Sequence, residues 1–201
     1  MTLSTTGRAG RSGHAVRLVV AAVVSLCVTL LGARLAATAD PAPSPQVTVH
    51  EAQGTYSVTA RFEVPQTASV ALAVLSDYEQ IPRFMPDVRK SVVLERSPGR
   101  LLVEQEAVSQ FMMFSKTVHL ILEVQEKGHS ITFIDRSGKS FHSYKGSWKA
   151  VEREGGTTIT YELSARPGFD VPGFVLKRLL RRDSTEMINR LRREFAARAA
   201  R

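Results

Sequence analysis

The sequence predicts an α+β domain in which one antiparallel sheet lays its apolar face against helices. Three observations lead there. Tyr56 to Val64 alternates, with Tyr56, Val58, Ala60, Phe62 and Val64 on one face, which is the period of a half-buried strand. Between residues 88 and 165 six further strand-like segments follow one another across short turns, as antiparallel neighbours do. From Phe174 to Phe195 there is no Gly or Pro, and Leu176, Leu180, Met187, Leu191 and Phe195 recur at helical spacing. A long amphipathic helix therefore follows the strands.

In chain order, the first forty residues read as an address. Arg8, Arg11, His14 and Arg17 form a basic start with no acid, Leu18 to Ala33 is uncharged and mostly apolar, and Ala37-Thr38-Ala39 offers a small-residue cleavage site. At 1.5 Å per residue this apolar run falls short of a bilayer core of about 30 Å. The expectation is a secretory signal peptide over 1–39, with an uncleaved membrane anchor as the alternative because Arg34 closes the run. The single cysteine, Cys27, lies inside the run and leaves no intrachain disulfide. Three prolines between Pro41 and Pro45 make 40–53 an expected linker. The folded domain is expected over 54–199, exported to the periplasm or medium.

Charge narrows the partners. The chain carries +8, but four arginines lie in the leader; 23 basic against 19 acidic residues remain, a mild +4. The basic residues are not interleaved with aromatics, and export removes the partner, so nucleic acid is excluded.

Within the domain, Pro65 ends the first strand and Thr67 is placed to cap a helix over Ala68 to Leu75. Pro82 and Pro86 limit a second helix to a turn or two, although Ile81, Phe84, Met85 and Val88 are too apolar for a water-facing loop. The six strands then run 88–95, 101–109, 114–126, 130–135, 141–151 and 157–165. On the last, Ile159, Tyr161, Leu163 and Ala165 share the inward parity. Arg166 to Gly173, with two Pro-Gly pairs, breaks into the long helix.

This order resembles the START-like superfamily, also called SRPBCC or helix-grip. Within it the chain looks most like the polyketide cyclase/dehydrase group, which includes coenzyme-Q-binding START proteins and a ribosome-association toxin. The residues that carry the likeness are Val64 to Val88, with its Ser76-Asp77-Tyr78-Glu79 turn and the Pro82, Phe84 and Pro86 that follow, then Gly146-Ser147-Trp148, the Gly156 to Leu163 strand, and Pro172 to Phe195. The likeness covers Thr55 to Arg198. It implies a curved sheet of about seven strands wrapped round the last helix, two short helices closing one end, and an apolar cavity between sheet and helix. A curved sheet cannot pack a straight helix along its whole length, and ligand pockets are typically about 300–1,000 Å³. The expected lining is Phe84, Met85, Tyr144, Tyr161, Phe169, Phe174 and Leu180, with His142 added by its shared parity with Tyr144 and Trp148.

Chemistry-bearing residues are sparse. His50, His119, His129 and His142 have no metal-ligand spacing. No G-x-S-x-G elbow is present, and Glu104 and Glu106 fall on a strand's wet face. No catalytic residue, metal or cofactor is expected. Gln105, Ser109 and Tyr161 would be the polar groups available to a cyclase. The favoured reading is a binding protein for a hydrophobic small molecule such as a lipid, quinone or polyketide-like chain. The alternatives are a cyclase/dehydratase-type enzyme and an interaction module with a filled core. Phe111-Met112-Met113-Phe114 stands where a polar turn belongs; it reads either as a packed strand edge or as an apolar tip that meets a membrane surface or guards the cavity mouth.

Overall fold

The computed structural model describes residues 44–111 and 114–200. The leader expected over 1–39, with Met112 and Met113, lies outside them. Eight strands form one antiparallel sheet: β1 (Gln46–Ala52), β2 (Thr55–Val64), β3 (Val88–Ser97), β4 (Arg100–Phe111), β5 (Phe114–Lys127), β6 (Ser130–Asp135), β7 (Phe141–Arg153) and β8 (Gly156–Pro167). Their order across the sheet is β1-β2-β8-β7-β6-β5-β4-β3. The helices are α1 (Ala68–Leu75), α2 (Ile81–Phe84) after a 3-10 turn at Tyr78–Gln80, and α3 (Gly173–Ala199).

The eighth strand is a correction. The stretch expected as linker includes β1, which pairs with β2 from Gln46 opposite Arg61 to Ala52 opposite Thr55. Only Val49 of β1 is fully buried, with Val47 partly so, because an edge strand needs few apolar side chains to hold its place. The Gln53-Gly54 turn between them has both residues at positive φ, 52° and 74°, the backbone of a tight hairpin.

The alternation of β2 is borne out residue by residue, with Tyr56, Val58, Ala60, Phe62 and Val64 all buried. Ile159, Tyr161, Leu163 and Ala165 of β8 lie beside them on the same face. Thr67 caps α1, its hydroxyl accepting from Val70 N at 3.5 Å. Ala71, Val74 and Leu75 then turn inward, and Val70 stays half-buried.

The segment 77–88 is tied down at several points. Tyr78 Oη donates to Glu126 Oε1 of β5 at 2.6 Å. Arg198 of α3 reaches both Asp77 Oδ2 and Glu194 Oε1 at 2.7 Å, and Arg190 lies 3.8 Å from Asp87. This segment thus runs along the C-terminal half of α3. That half is sealed, with Ile188, Leu191 and Phe195 buried. The helix stripe is the expected one, widened by Ser184 and Ile188.

Candidate functional site

The inward side chains divide into two groups by position along the strands. At the end shared by Val64, Leu101, Val124, Ile131, Ala150 and Ile159 they are fully buried. At the other end Ala107, Val118, Phe141 and Tyr144 point the same way and remain half-buried. Leu179, Leu180 and Met187 of α3 are half-buried too. Solvent therefore reaches an apolar inner face between the sheet and the N-terminal half of α3. A helix that leaves a curved sheet at one end produces such partial exposure without any special residue.

Aromatic side chains furnish this end. Tyr144 packs between Phe141 and Phe133, with ring centroids 4.9 and 5.9 Å away. Phe169, from the β8–α3 connection, meets Phe141 at 6.0 Å, and Lys116 Nζ of β5 lies 5.1 Å from its ring centroid. That cation–π contact ties the connection to the β4–β5 hairpin. Deeper in, Trp148 and Tyr161 stack at 4.3 Å.

Two polar spots interrupt the apolar wall. Gln105 Nε2 donates to Ser91 Oγ at 3.2 Å, on neighbouring strands β4 and β3. The other is where Tyr144 and Tyr161 lie near enough for each hydroxyl to bear on the other's ionisation. Burial is the main cause that pushes the Tyr144 hydroxyl up to about 12, and it raises Tyr161 well above its ordinary value. Their mutual influence raises Tyr161 further and lowers Tyr144. Both stay protonated near neutral pH. No group of acidic, histidine or cysteine side chains suited to a metal occurs among the described residues.

A sheet curled round a long helix, with inward apolar side chains left half-buried at one end, can be compared with known families. Residues 64–192 match the family model for polyketide cyclase / dehydrase and lipid transport. The chain belongs to this family. No curated protein matches the sequence. Among solved structures, a START superfamily protein from Mycobacterium smegmatis aligns with a TM-score of 0.62 at 19% identity, over 70% of this chain and 97% of that one. The Zhui aromatase/cyclase from a Streptomyces species aligns at 0.61 and 15%, over 72% and 96%. A STAR-related lipid transfer protein from Xanthomonas axonopodis aligns at 0.57 and 18%, over 77% and 99%. These identities establish the START-like fold. A fold of this kind suggests either binding of a hydrophobic molecule or a cyclase-type role.

Of the residues expected to line a cavity, Tyr144, Phe169 and Leu180 are half-buried and Tyr161 is fully buried beside Trp148. Met85 is half-buried against the core. Phe84 is also half-buried, but it lines a cleft of about 380 Å³ with Asp77, Arg83, Glu194 and Arg198, at the sealed end of α3. Two residues depart from expectation. His142 is exposed, because a register shift between Phe141 and Ser143 breaks the alternation of β7. A bulge of this sort puts an extra residue on one strand; His142 and Ser143 both face water, and Phe141 takes the inward place that parity gave to His142. Phe174 is 79% exposed. It lies two residues before buried Leu176, hence about 200° round the helix from it. Phe111 and Phe114 form the last rung of the β4–β5 ladder.

The outer face carries a separate groove of about 570 Å³, lined by groups such as Ser57, Thr59, Gln125, Ser147 and Glu162. Apolar residues, among them Val58, Phe133, Ile134 and Leu163, line it as well. Glu104 and Glu106 lie on this wet side, engaged by Lys90 and His119.

Proposed function

We propose that this chain is an exported protein that holds a hydrophobic small molecule between the inner sheet face and the N-terminal half of α3, as a carrier or sensor. The observation that carries this reading is the half-burial of Val118, Phe141, Tyr144, Leu180 and Met187, all of them pointing inward. An apolar surface that water reaches is covered by an apolar guest at a gain of about 25 cal/mol per Å². The expected result is that native mass spectrometry of the protein, purified without detergent, finds a co-purifying lipid, quinone or other apolar molecule. A protein that arrives empty and takes up no apolar fluorescent probe would overturn the reading. Conversion of a bound polyketide-like chain would move the function to a cyclase. Export has its own check: protein recovered outside the cytoplasm is expected to begin at Asp40.

The open end also fits an anionic membrane surface, where a hydrophobic cargo is collected. Phe174 projects there beside exposed Lys177, Arg178 and Arg181. Each basic side chain near an anionic bilayer contributes about 1 kcal/mol, and insertion of one phenylalanine about 1.5–3 kcal/mol. Phe174→Asp is therefore expected to weaken binding to phosphatidylglycerol-containing vesicles by at least about tenfold. An exposed site outside the core leaves stability within about 0.5 kcal/mol. Cosedimentation checks the first expectation and thermal unfolding the second; equal vesicle binding by wild type and variant would remove the membrane from this reading.

A further inference from the structure

We propose that the groove on the outer face of the sheet is a binding site for a neutral oligosaccharide in extended, β-1,4-linked form, laid across the strands with Glu162 as its main hydrogen-bond acceptor. The site lies on the opposite face of the sheet from the inner side chains and does not depend on them. Register builds it. Thr59, Glu162, Ser147, Thr132 and Gln125 stand opposite one another in turn, one from each of β2, β8, β7, β6 and β5. Ser57, Ser164, Lys145 and Ile134 make the next outward rung. The serines keep the floor low over β2, β8 and β7, and the Arg136–Glu123 ion pair, at 3.1 Å, walls the β5 side. The volume of about 570 Å³ lies within the usual range for ligand sites.

The groove differs from the rest of the outer face in what its side chains do. Over β3 to β5 the charged groups are spent on one another, Lys90 on Glu104, Glu106 on His119, and Arg100 and Arg136 on Glu123. In the groove, Thr59, Gln125, Lys145, Ser147, Glu162 and Ser164 make no side-chain hydrogen bond or ion pair among the described residues. They offer hydroxyls, one carboxamide, one carboxylate and one ammonium, a set rich in groups that both donate and accept. Sugar hydroxyls match such a set, and the Glu162 carboxylate can accept from two of them through charge-assisted bonds. Ile134 adds an apolar contact for the C–H face of a ring. The charges cancel, Glu123 and Glu162 against Arg136 and Lys145, so neither an anion nor a cation is favoured. All five strands are interior to the sheet; the ladder takes their backbone groups, and a peptide cannot add here as a strand. Neighbouring strands lie about 4.8 Å apart, close to the length of one sugar unit in an extended β-1,4-linked chain. Five strands span about 19 Å, room for about four such units.

The test titrates cellotetraose and chitotetraose, two neutral β-1,4-linked tetramers, into the full chain by isothermal calorimetry. At least one is expected to bind with a Kd of about 1 mM or tighter. Glu162→Gln keeps the shape of the side chain and removes its charge; it is expected to weaken that sugar about tenfold, the loss for a charge-assisted hydrogen bond. Ser147→Val raises the floor in the middle of the groove at a strand position that suits a β-branched residue, and is expected to abolish binding. Glu106→Gln, on the same face outside the groove, is expected to bind as wild type does. Thermal unfolding of each variant at the wild-type Tm confirms that the sheet is intact. Three results would overturn the proposal: neither sugar binds wild type at millimolar concentration, Glu162→Gln and Ser147→Val bind as wild type does, or Glu106→Gln loses as much as Glu162→Gln. The readout is the same whether or not the inner face holds a guest.

Discussion

Phe195→Ala is expected to lower the stability of the domain by about 3–5 kcal/mol, the range for removing a large aromatic from a core. Phe195 is 0% exposed and has the largest of the fully buried side chains. It sits about one turn from the end of α3, where the helix, α1 and the 77–88 segment converge, and Arg198 three residues on makes the polar half of the same junction. The void cannot close readily, because the sheet on one side and the Arg198–Asp77 link on the other hold its walls apart. For a domain of this size the loss corresponds to a fall in Tm on the order of 10 °C. Denaturant unfolding reads it as a lower midpoint at unchanged m-value. A loss below about 1 kcal/mol would mean that the end of α3 is not docked.

Gly146→Ala is the second large effect. Its Cβ would collide with the carbonyl oxygen of Glu162 on the neighbouring strand and press on the Phe133 ring. The ring has room to tilt, but the carbonyl belongs to the β7–β8 ladder and moves only with the sheet. Overpacking of this kind costs about 1–3 kcal/mol and more where backbone must shift, so at least about 3 kcal/mol is expected. Gly99→Ala serves as the contrast. Gly99 has φ 74° and nothing within 4 Å of an added Cβ, which leaves only left-handed strain of about 1–2 kcal/mol. Thermal unfolding of the two variants side by side separates steric collision from backbone strain. A Gly146→Ala protein no less stable than Gly99→Ala would contradict the close approach of β7 and β8.

The sheet was legible in the sequence wherever one face is buried and the other wet. Tyr56 to Val64 and Ile159 to Ala165 alternate because half of each strand meets the core. The stripe of α3 was legible for the same reason, and Thr67 as a cap because a hydroxyl at a helix start has one job. β1 was hidden, since Val47 and Val49 are too few to stand out after a run of prolines and its place comes from pairing with β2. The bulge at Phe141 to Ser143 was hidden more deeply. No composition marks it, yet it exchanges His142 for Phe141 at the open end. Phe174 misled because apolarity says that a side chain prefers burial and not that the first turn of a helix offers any. The stacking of Trp148 on Tyr161 follows from register, which parity alone does not supply.

The strand order also governs how the chain must assemble. From β3 to β8 each strand pairs with its sequence neighbour, so that run closes through short turns, one hairpin after another. The β1–β2 hairpin is local as well. A single pairing, β2 with β8, joins the two pieces, and everything from Pro65 to Gly155 lies between its partners. Thr157 Oγ1 donating to Gln66 O at 2.8 Å, across 91 positions of sequence, fastens the same seam. The entropy of closing a long loop grows only slowly with its length but must be met before any contact rewards it. The barrier to folding is therefore concentrated at one seam, and the chain completes its inner face when that seam closes.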